Sequence, residues 1–166
     1  CTGTGGTLSG SAKFLKENNP DIKIIGVDAD GSILKTYHET GKINKLDIKP
    51  YQIEGMGKNL IPKALLFEQI DEFVRVNDEM AAYKTREIAL KEAIMGGYTT
   101  GAVVQGLMQY ANAHPFTKDD VVVLIFPDHG SRYITKVYSD DWMEEQGFIN
   151  NCVHNYNEVY KTEYIK

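Results

Sequence analysis

The chain has 166 residues, 42% hydrophobic, 25% charged and 10% aromatic, a globular composition that excludes a disordered chain, a collagen-like repeat and a disulfide scaffold. Its 18 Lys and Arg against 23 Asp and Glu leave a net charge of −5, with no basic cluster for nucleic acid or an anionic membrane. The longest apolar run, residues 121–126, falls far short of the ~20 residues of a membrane span, and neither a signal-peptide pattern nor a cysteine framework stands out, so the sequence predicts a cytoplasmic protein without a membrane partner.

Cys1-Thr2-Gly3-Thr4-Gly5-Gly6 is a glycine-rich turn of the kind that follows a strand, and it reads as the middle of a longer protein. A helix is predicted over 7–18, with Leu8, Ala12 and Leu15 on one face, stopped by Asn19-Pro20. The β-branched run 22–27 predicts a strand ending at Asp28-Ala29-Asp30-Gly31. Residues 32–52 predict mostly loop, Glu54-Gly55-Met56-Gly57-Lys58-Asn59 a second glycine loop, and Pro62 a helix start. A strand is predicted over 72–76, followed by a helix capped by Asn77 and ended by Gly96-Gly97, with Asp78 and Glu79 at its positive end. A largely buried helix follows over 100–113, broken by His114-Pro115. Residues 121–126, apolar throughout, predict a strand covered on both faces of a parallel sheet. Ser139-Asp140-Asp141-Trp142 predicts a short capped helix, and residues 150–166 a polar tail or linker. Strands alternating with helices make the class α/β: an open, mainly parallel twisted sheet flanked by helices, over residues 1–149.

Gly3, Thr4, Gly5, Gly6 and Thr7, placed before a helix, carry the strongest local signal. Glycines let the backbone approach a ligand, and the amides at the helix start then converge on an anion such as phosphate. A dinucleotide fingerprint would need glycine where Leu8 stands, and a P-loop would need Gly-Lys-Ser/Thr. A plain tight turn is the alternative. Gly97-Tyr98-Thr99-Thr100-Gly101 is a second possible anion nest, or a helix start capped by Thr99 or Thr100. His129 falls just past the carboxyl end of a predicted strand, where open α/β sheets bind ligands; a solvated loop histidine is the alternative. His38, His114 and His154 show no metal spacing, and no metal site is predicted.

In their order and intervals, Gly3-Thr4-Gly5-Gly6-Thr7, Ile25-Gly26-Val27-Asp28, Glu54-Gly55-Met56-Gly57, Pro127-Asp128 and Ser139-Asp140-Asp141-Trp142-Met143 resemble the C-terminal half of the β-family of pyridoxal-phosphate enzymes. Tyr133-Ile134-Thr135-Lys136 followed by Ser139-Asp140-Asp141-Trp142 looks more like the cystathionine β-synthase branch than the cysteine synthase branch. The resemblance implies the large-domain part of a tryptophan-synthase-β-like fold, with pyridoxal 5'-phosphate as cofactor and its phosphate on Gly3, Thr4, Gly5, Gly6 and Thr7. It places Gly55, Met56 and Gly57 near an amino-acid substrate, and His129 where the family usually has a serine facing the pyridine nitrogen. Gly97 to Gly101 align with a family Gly-Gly-Ser-Ala-Gly stretch in which Tyr98 and Thr99 are departures; Lys58 stands where some synthases carry an aromatic residue. The family's Schiff-base lysine lies in its N-terminal half, and no lysine here matches that motif. No catalytic residue is therefore assigned, and the isolated chain is expected to be inactive. The implied reaction joins serine and homocysteine into cystathionine in a homodimeric enzyme. The alternatives are a cysteine synthase, joining O-acetylserine and sulfide, and a non-catalytic phosphate-binding module.

Overall fold

Two short runs rich in β-branched and aromatic residues make the sheet, and the helices are packed around them in a computed structural model that describes residues 1–148. β1 (Ile25–Ala29) and β2 (Glu72–Val76) pair in parallel, from Ile25 opposite Glu72 to Ala29 opposite Val76. The period of two along each strand divides the core. Val27, Ala29 and Val76 join one cluster with Ile53, Met56, Ala81, Tyr98 and Met143, whereas Phe73 joins the other with Ala12, Ile24, Leu34, Leu65 and Ile70. Helices and a small parallel sheet make the described part α/β.

α1 (Gly6–Asn18) precedes β1, and α2 (Leu34–Thr40) follows it. β2 leads into α3 (Asp78–Glu92), which packs against α4 (Tyr98–Ala113); α5 (Asp140–Glu145) comes last. The crossing of α3 and α4 is close at Gly101, where a Cβ would lie 2.0 Å from the Ala81 carbonyl oxygen. Asn77 caps α3 as predicted, its side chain accepting from the Met80 amide. Three 3₁₀ turns, Lys45–Asp47, Phe67–Gln69 and Gly130–Tyr133, shape the connections.

Several expectations are corrected. Residues 22–24 lie outside the ladder, which begins at Ile25. The 32–52 stretch holds α2, because the Asp28 carboxylate accepts the Lys35 amide at its start and Gly41, with φ 68°, ends it. Pro62 starts no helix; the chain turns there and reaches the short 3₁₀ turn at Phe67–Gln69. α3 ends at Glu92, with Ala93 in left-handed geometry, before Gly96 and Gly97 are reached.

The largest correction concerns residues 121–126, which form no strand. Val121, Val123 and Ile125 are 89%, 76% and 62% exposed. An apolar run is buried on both faces only when strands flank it, and among the described residues the sheet has two strands, β1 and β2. Residues 149–166, with the predicted tail, Cys152 and His154, lie outside the described residues. No described helix is long and apolar enough to cross a membrane.

Candidate functional site

The start of α1 is an open cradle of backbone donors. Gly5 occupies the N-cap with φ 87° and ψ −13°, and no side chain caps the helix. The first amide to find a backbone acceptor here is that of Ser9, which donates to the Gly5 carbonyl at 2.8 Å. The amides of Gly6, Thr7 and Leu8 therefore stand among the orphan donors of a helix start. No acidic residue lies in the first turn, so the positive end of the helix dipole is unopposed. Thr4, Gly6 and Thr7 are exposed on the rim, whereas Gly5 is buried against Leu65.

The second glycine loop is stitched to the first. The Thr2 amide donates to the Val27 carbonyl at 3.0 Å, and the Gly57 amide donates to the Thr2 carbonyl at 2.8 Å. Gly3 approaches so closely that a Cβ on it would lie 2.5 Å from the Gly55 carbonyl oxygen. Met56 is buried beneath the loop, and the far side is tied down where the Lys58 amide donates to Ser32 Oγ at 2.9 Å. Exposed Glu54 pairs with Lys136, from the segment after the 3₁₀ turn at Gly130–Tyr133.

On the other side Cys1 Sγ donates to the Thr99 carbonyl at 3.3 Å, which brings the start of α4 beside the glycine loops. Thr99 and Thr100 do not cap α4. Gly97 takes that position without a side-chain bond, and both threonines are buried within the first turn. Their hydroxyls have no hydrogen-bond partner, and neither do Thr2 Oγ1 and Asp128 Oδ1. The Gly97 amide donates to the Asp128 carbonyl at 2.9 Å, and Gly96 forms an antiparallel bridge with His129. His129 thus follows an unpaired run instead of a strand. It is exposed, and its Nδ1 accepts from the Ser131 amide at 3.1 Å.

Gly3, Gly55, Gly57, Thr99, Gly97 and His129 therefore follow one another along a continuous series of contacts. His38 and His114 stand apart: His38 Nε2 lies 2.9 Å from the Ile70 carbonyl oxygen, and His114 stacks on Tyr110. Among the described residues no His, Cys, Asp and Glu group could hold a metal ion.

Two buried polar groups, Asp28 and Tyr133, stand in the resemblance motifs with no role assigned to them. Asp28 is fully buried at the carboxyl end of β1, and burial pushes its carboxyl above the usual range against the pull of Ser32 and the Lys35 and Ala29 amides. Its signal was present as a carboxylate closing an apolar run, three positions before Gly31. Tyr133 donates its phenol to Asp128 Oδ2 at 2.8 Å. Burial and that carboxylate push the phenol upward, so it remains a neutral donor that holds Asp128 still.

Residues 1–128 match the family described as "Pyridoxal-phosphate dependent enzyme". The chain belongs to that family. It is 38% identical over 152 residues to the cystathionine β-synthase of Saccharomyces cerevisiae, covering 91% of this chain and 29% of that protein. It is 35% identical to the Apis mellifera cystathionine β-synthase, covering 92% of this chain and 29% of the relative. The N-(2-amino-2-carboxyethyl)-L-glutamate synthase of Cupriavidus metallidurans is 33% identical, with 84% of this chain and 39% of the relative covered. The chain thus spans less than a third of the length of the two cystathionine β-synthases.

Family membership makes pyridoxal 5'-phosphate the cofactor. The residues present fit its phosphate. An uncapped helix start with orphan amides, a hydroxyl-bearing rim and no nearby carboxylate in the first turn is the donor set a dianion requires.

Proposed function

We propose that this chain is the cofactor-cradling C-terminal portion, residues 1–149, of the catalytic domain of a β-replacement enzyme of the cystathionine β-synthase type. Its large-domain fold is of the tryptophan-synthase-β kind, and its reaction joins serine to homocysteine. The single observation that carries this reading is the alignment of the Gly3, Gly55, Gly97 and His129 segments along one series of contacts, backbone throughout except where Cys1 Sγ reaches the Thr99 carbonyl. Those are the pieces that a phosphate, an amino acid and a pyridine ring would each need.

The bound cofactor supplies an electron sink for cleavage at the substrate's β-carbon. The chain's own residues do the holding. Amides of Gly6, Thr7 and Leu8, with the hydroxyls of Thr4 and Thr7, grip the phosphate. Gly55, Met56 and Gly57 border the amino-acid substrate, and His129 faces the ring nitrogen. The lysine that carries the cofactor comes from elsewhere in the complete protein, so the isolated chain does not turn over. Exposure of the apolar 121–126 run supports this reading, because a body completed by further strands would cover it. The complete protein is a cytoplasmic homodimer that takes an amino acid and a thiol.

Gly6 provides the test. A side chain on it would meet nothing within 4 Å, and it is the first residue of α1. Gly6→Asp therefore places a carboxylate in the cradle without steric cost, at a position where a helix welcomes negative charge. In the complete protein it should abolish retention of the cofactor's visible absorbance through gel filtration, while Gly6→Ala retains it. Retention by Gly6→Asp would remove the loop from the site. Parallel assays with serine plus homocysteine and with O-acetylserine plus sulfide decide the reaction; turnover of the second pair alone would make the protein a cysteine synthase.

A further inference from the structure

The second glycine loop is gripped at both ends by side chains that have no part in the proposed function. On its entry side the Asp78 carboxylate takes two consecutive backbone amides, that of Gln52 on Oδ2 at 2.8 Å and that of Ile53 on Oδ1 at 3.1 Å. On its exit side the fully buried Ser32 hydroxyl accepts the Lys58 amide at 2.9 Å and donates to the Lys58 carbonyl at 3.1 Å. The Ile33 amide reaches the same carbonyl at 2.9 Å.

The grips are themselves fixed. Asp78 is the first residue of α3, and its carbonyl accepts the Tyr98 phenol at 2.8 Å. Ser32 stands between β1 and α2, and its carbonyl accepts from Arg75 of β2 at 3.0 Å. Between the two ends Met56 is buried in the core, and the Gly57 amide is bound to Thr2. Only Glu54 and Gly55 emerge, and the Gly55 carbonyl lies where a Cβ on Gly3 would be 2.5 Å away. Gly55 and Gly57 both have positive φ, so the tip has little stiffness of its own. Its place against the first glycine loop is decided by Asp78 and Ser32.

We infer that Asp78 and Ser32 are positioning residues that hold the Gly55-Met56-Gly57 tip against Thr2 and Gly3, and that through this tip they set the affinity for the amino-acid substrate. This rests on the placement of the tip beside that substrate in the proposed function. A tip already in place has less freedom to lose when substrate binds, so loosening it weakens binding. The cofactor's phosphate belongs to the start of α1, which neither residue touches.

Amide exchange in this chain reads the grips directly. Asp78→Asn keeps the shape but turns one acceptor oxygen into a donor facing an amide. It should speed exchange of the Gln52 or Ile53 amide about tenfold, the loss of one hydrogen bond. Ser32→Ala should do the same at Lys58. Glu79→Gln removes the same charge from the same turn of α3, where Glu79 is exposed, and should change neither. Unchanged exchange in Asp78→Asn and Ser32→Ala overturns the inference and leaves the proposed function untouched.

In the complete protein the two variants should raise KM for the amino-acid substrate, serine or O-acetylserine, about tenfold, with kcat within about twofold, the pattern of lost uniform binding. Both should retain the cofactor's visible absorbance, and Glu79→Gln should match the wild type. An unchanged KM, a fall in kcat alone, or an equal effect of Glu79→Gln overturns the inference. Ser32→Ala reaches the loop through a different element, so a misfolded Asp78→Asn leaves the claim open to refutation from the other end. A wild-type protein that takes up no cofactor overturns the proposed function and the substrate role with it.

Discussion

Gly5 sets the angle at which the chain enters α1, and two independent constraints meet there. Its φ of 87° lies in the left-handed region, and a Cβ would fall 2.6 Å from Leu65 Cβ and 2.7 Å from Leu65 Cα. The first costs an L-residue about 1–2 kcal/mol, and the second adds overpacking of similar size. Gly5→Ala should therefore destabilise the chain by about 2 kcal/mol or more, seen as a lower urea midpoint with an unchanged slope. An unchanged midpoint would mean that the turn relaxes away from Leu65. Because Gly5 is structural as well as part of the loop, a carboxylate placed there would confound folding with anion repulsion. Gly6, exposed and unobstructed, separates the two.

At the scale of elements, caps and linking charges hold the helices to the sheet. The Asn77 side chain accepts the Met80 amide at 2.9 Å, so Asn77→Ala should cost about 1 kcal/mol and Asn77→Asp should restore it. Thermal unfolding of the three proteins checks this. Asp71 ties α1 and the residue before β1 to the start of β2, accepting the Ile24 amide at 2.8 Å and pairing with Lys16 at 2.8 Å. Burial alone would raise its carboxyl, but Lys16, the Ile24 amide and Lys23 outweigh it and hold the group below its ordinary range. A carboxyl lowered on folding stabilises above its unfolded value of about 3.9, and that contribution is lost as pH falls through the folded value. Asp71→Asn should therefore be less stable than wild type near neutrality and should lose less stability on acidification below about pH 4. Parallel melting curves across that window would contradict it. Asp28 and Asp78, raised by burial, act in the opposite sense, since their contribution falls as pH rises from about 4.

The same scale separates what could be read in advance from what could not. α3 was legible because Asn77, Asp78 and Glu79 write its start within three residues. α2 was missed because its start is secured by Asp28, seven positions upstream, although Gly41 and the Lys35–Glu39 pair were in view. Thr99 and Thr100 looked like caps by residue type. Packing of α4 against α3 and the contact of Cys1 with Thr99 drew both into the helix instead.

At the scale of the whole molecule, the 121–126 run places Val121, Val123 and Ile125 at the surface of the described residues. An exposed, unpaired apolar run promotes association with other copies. Val123 is 76% exposed, so Val123→Lys should leave the stability of this chain within about 0.5 kcal/mol of wild type. It should also reduce concentration-dependent association, as read by light scattering. In the complete protein the same change should abolish cofactor uptake if further strands enclose the run. Full uptake would show that the run stays at the surface there too.

The amino-acid order by itself determined the local devices: the glycine loop before α1, the cap of α3, the β2 strand and the histidine after Pro127-Asp128. Each is specified by residues within a turn or two, where backbone geometry and hydrogen-bonding groups suffice. Only the tertiary structure decided which of these devices are neighbours, that Gly57 joins Thr2 and that Gly96 joins His129. It also decided that residues 121–126 are not a strand, because a strand's existence depends on a partner at its edge, and hydrophobicity along the chain records the capacity for burial without recording what stands beside it.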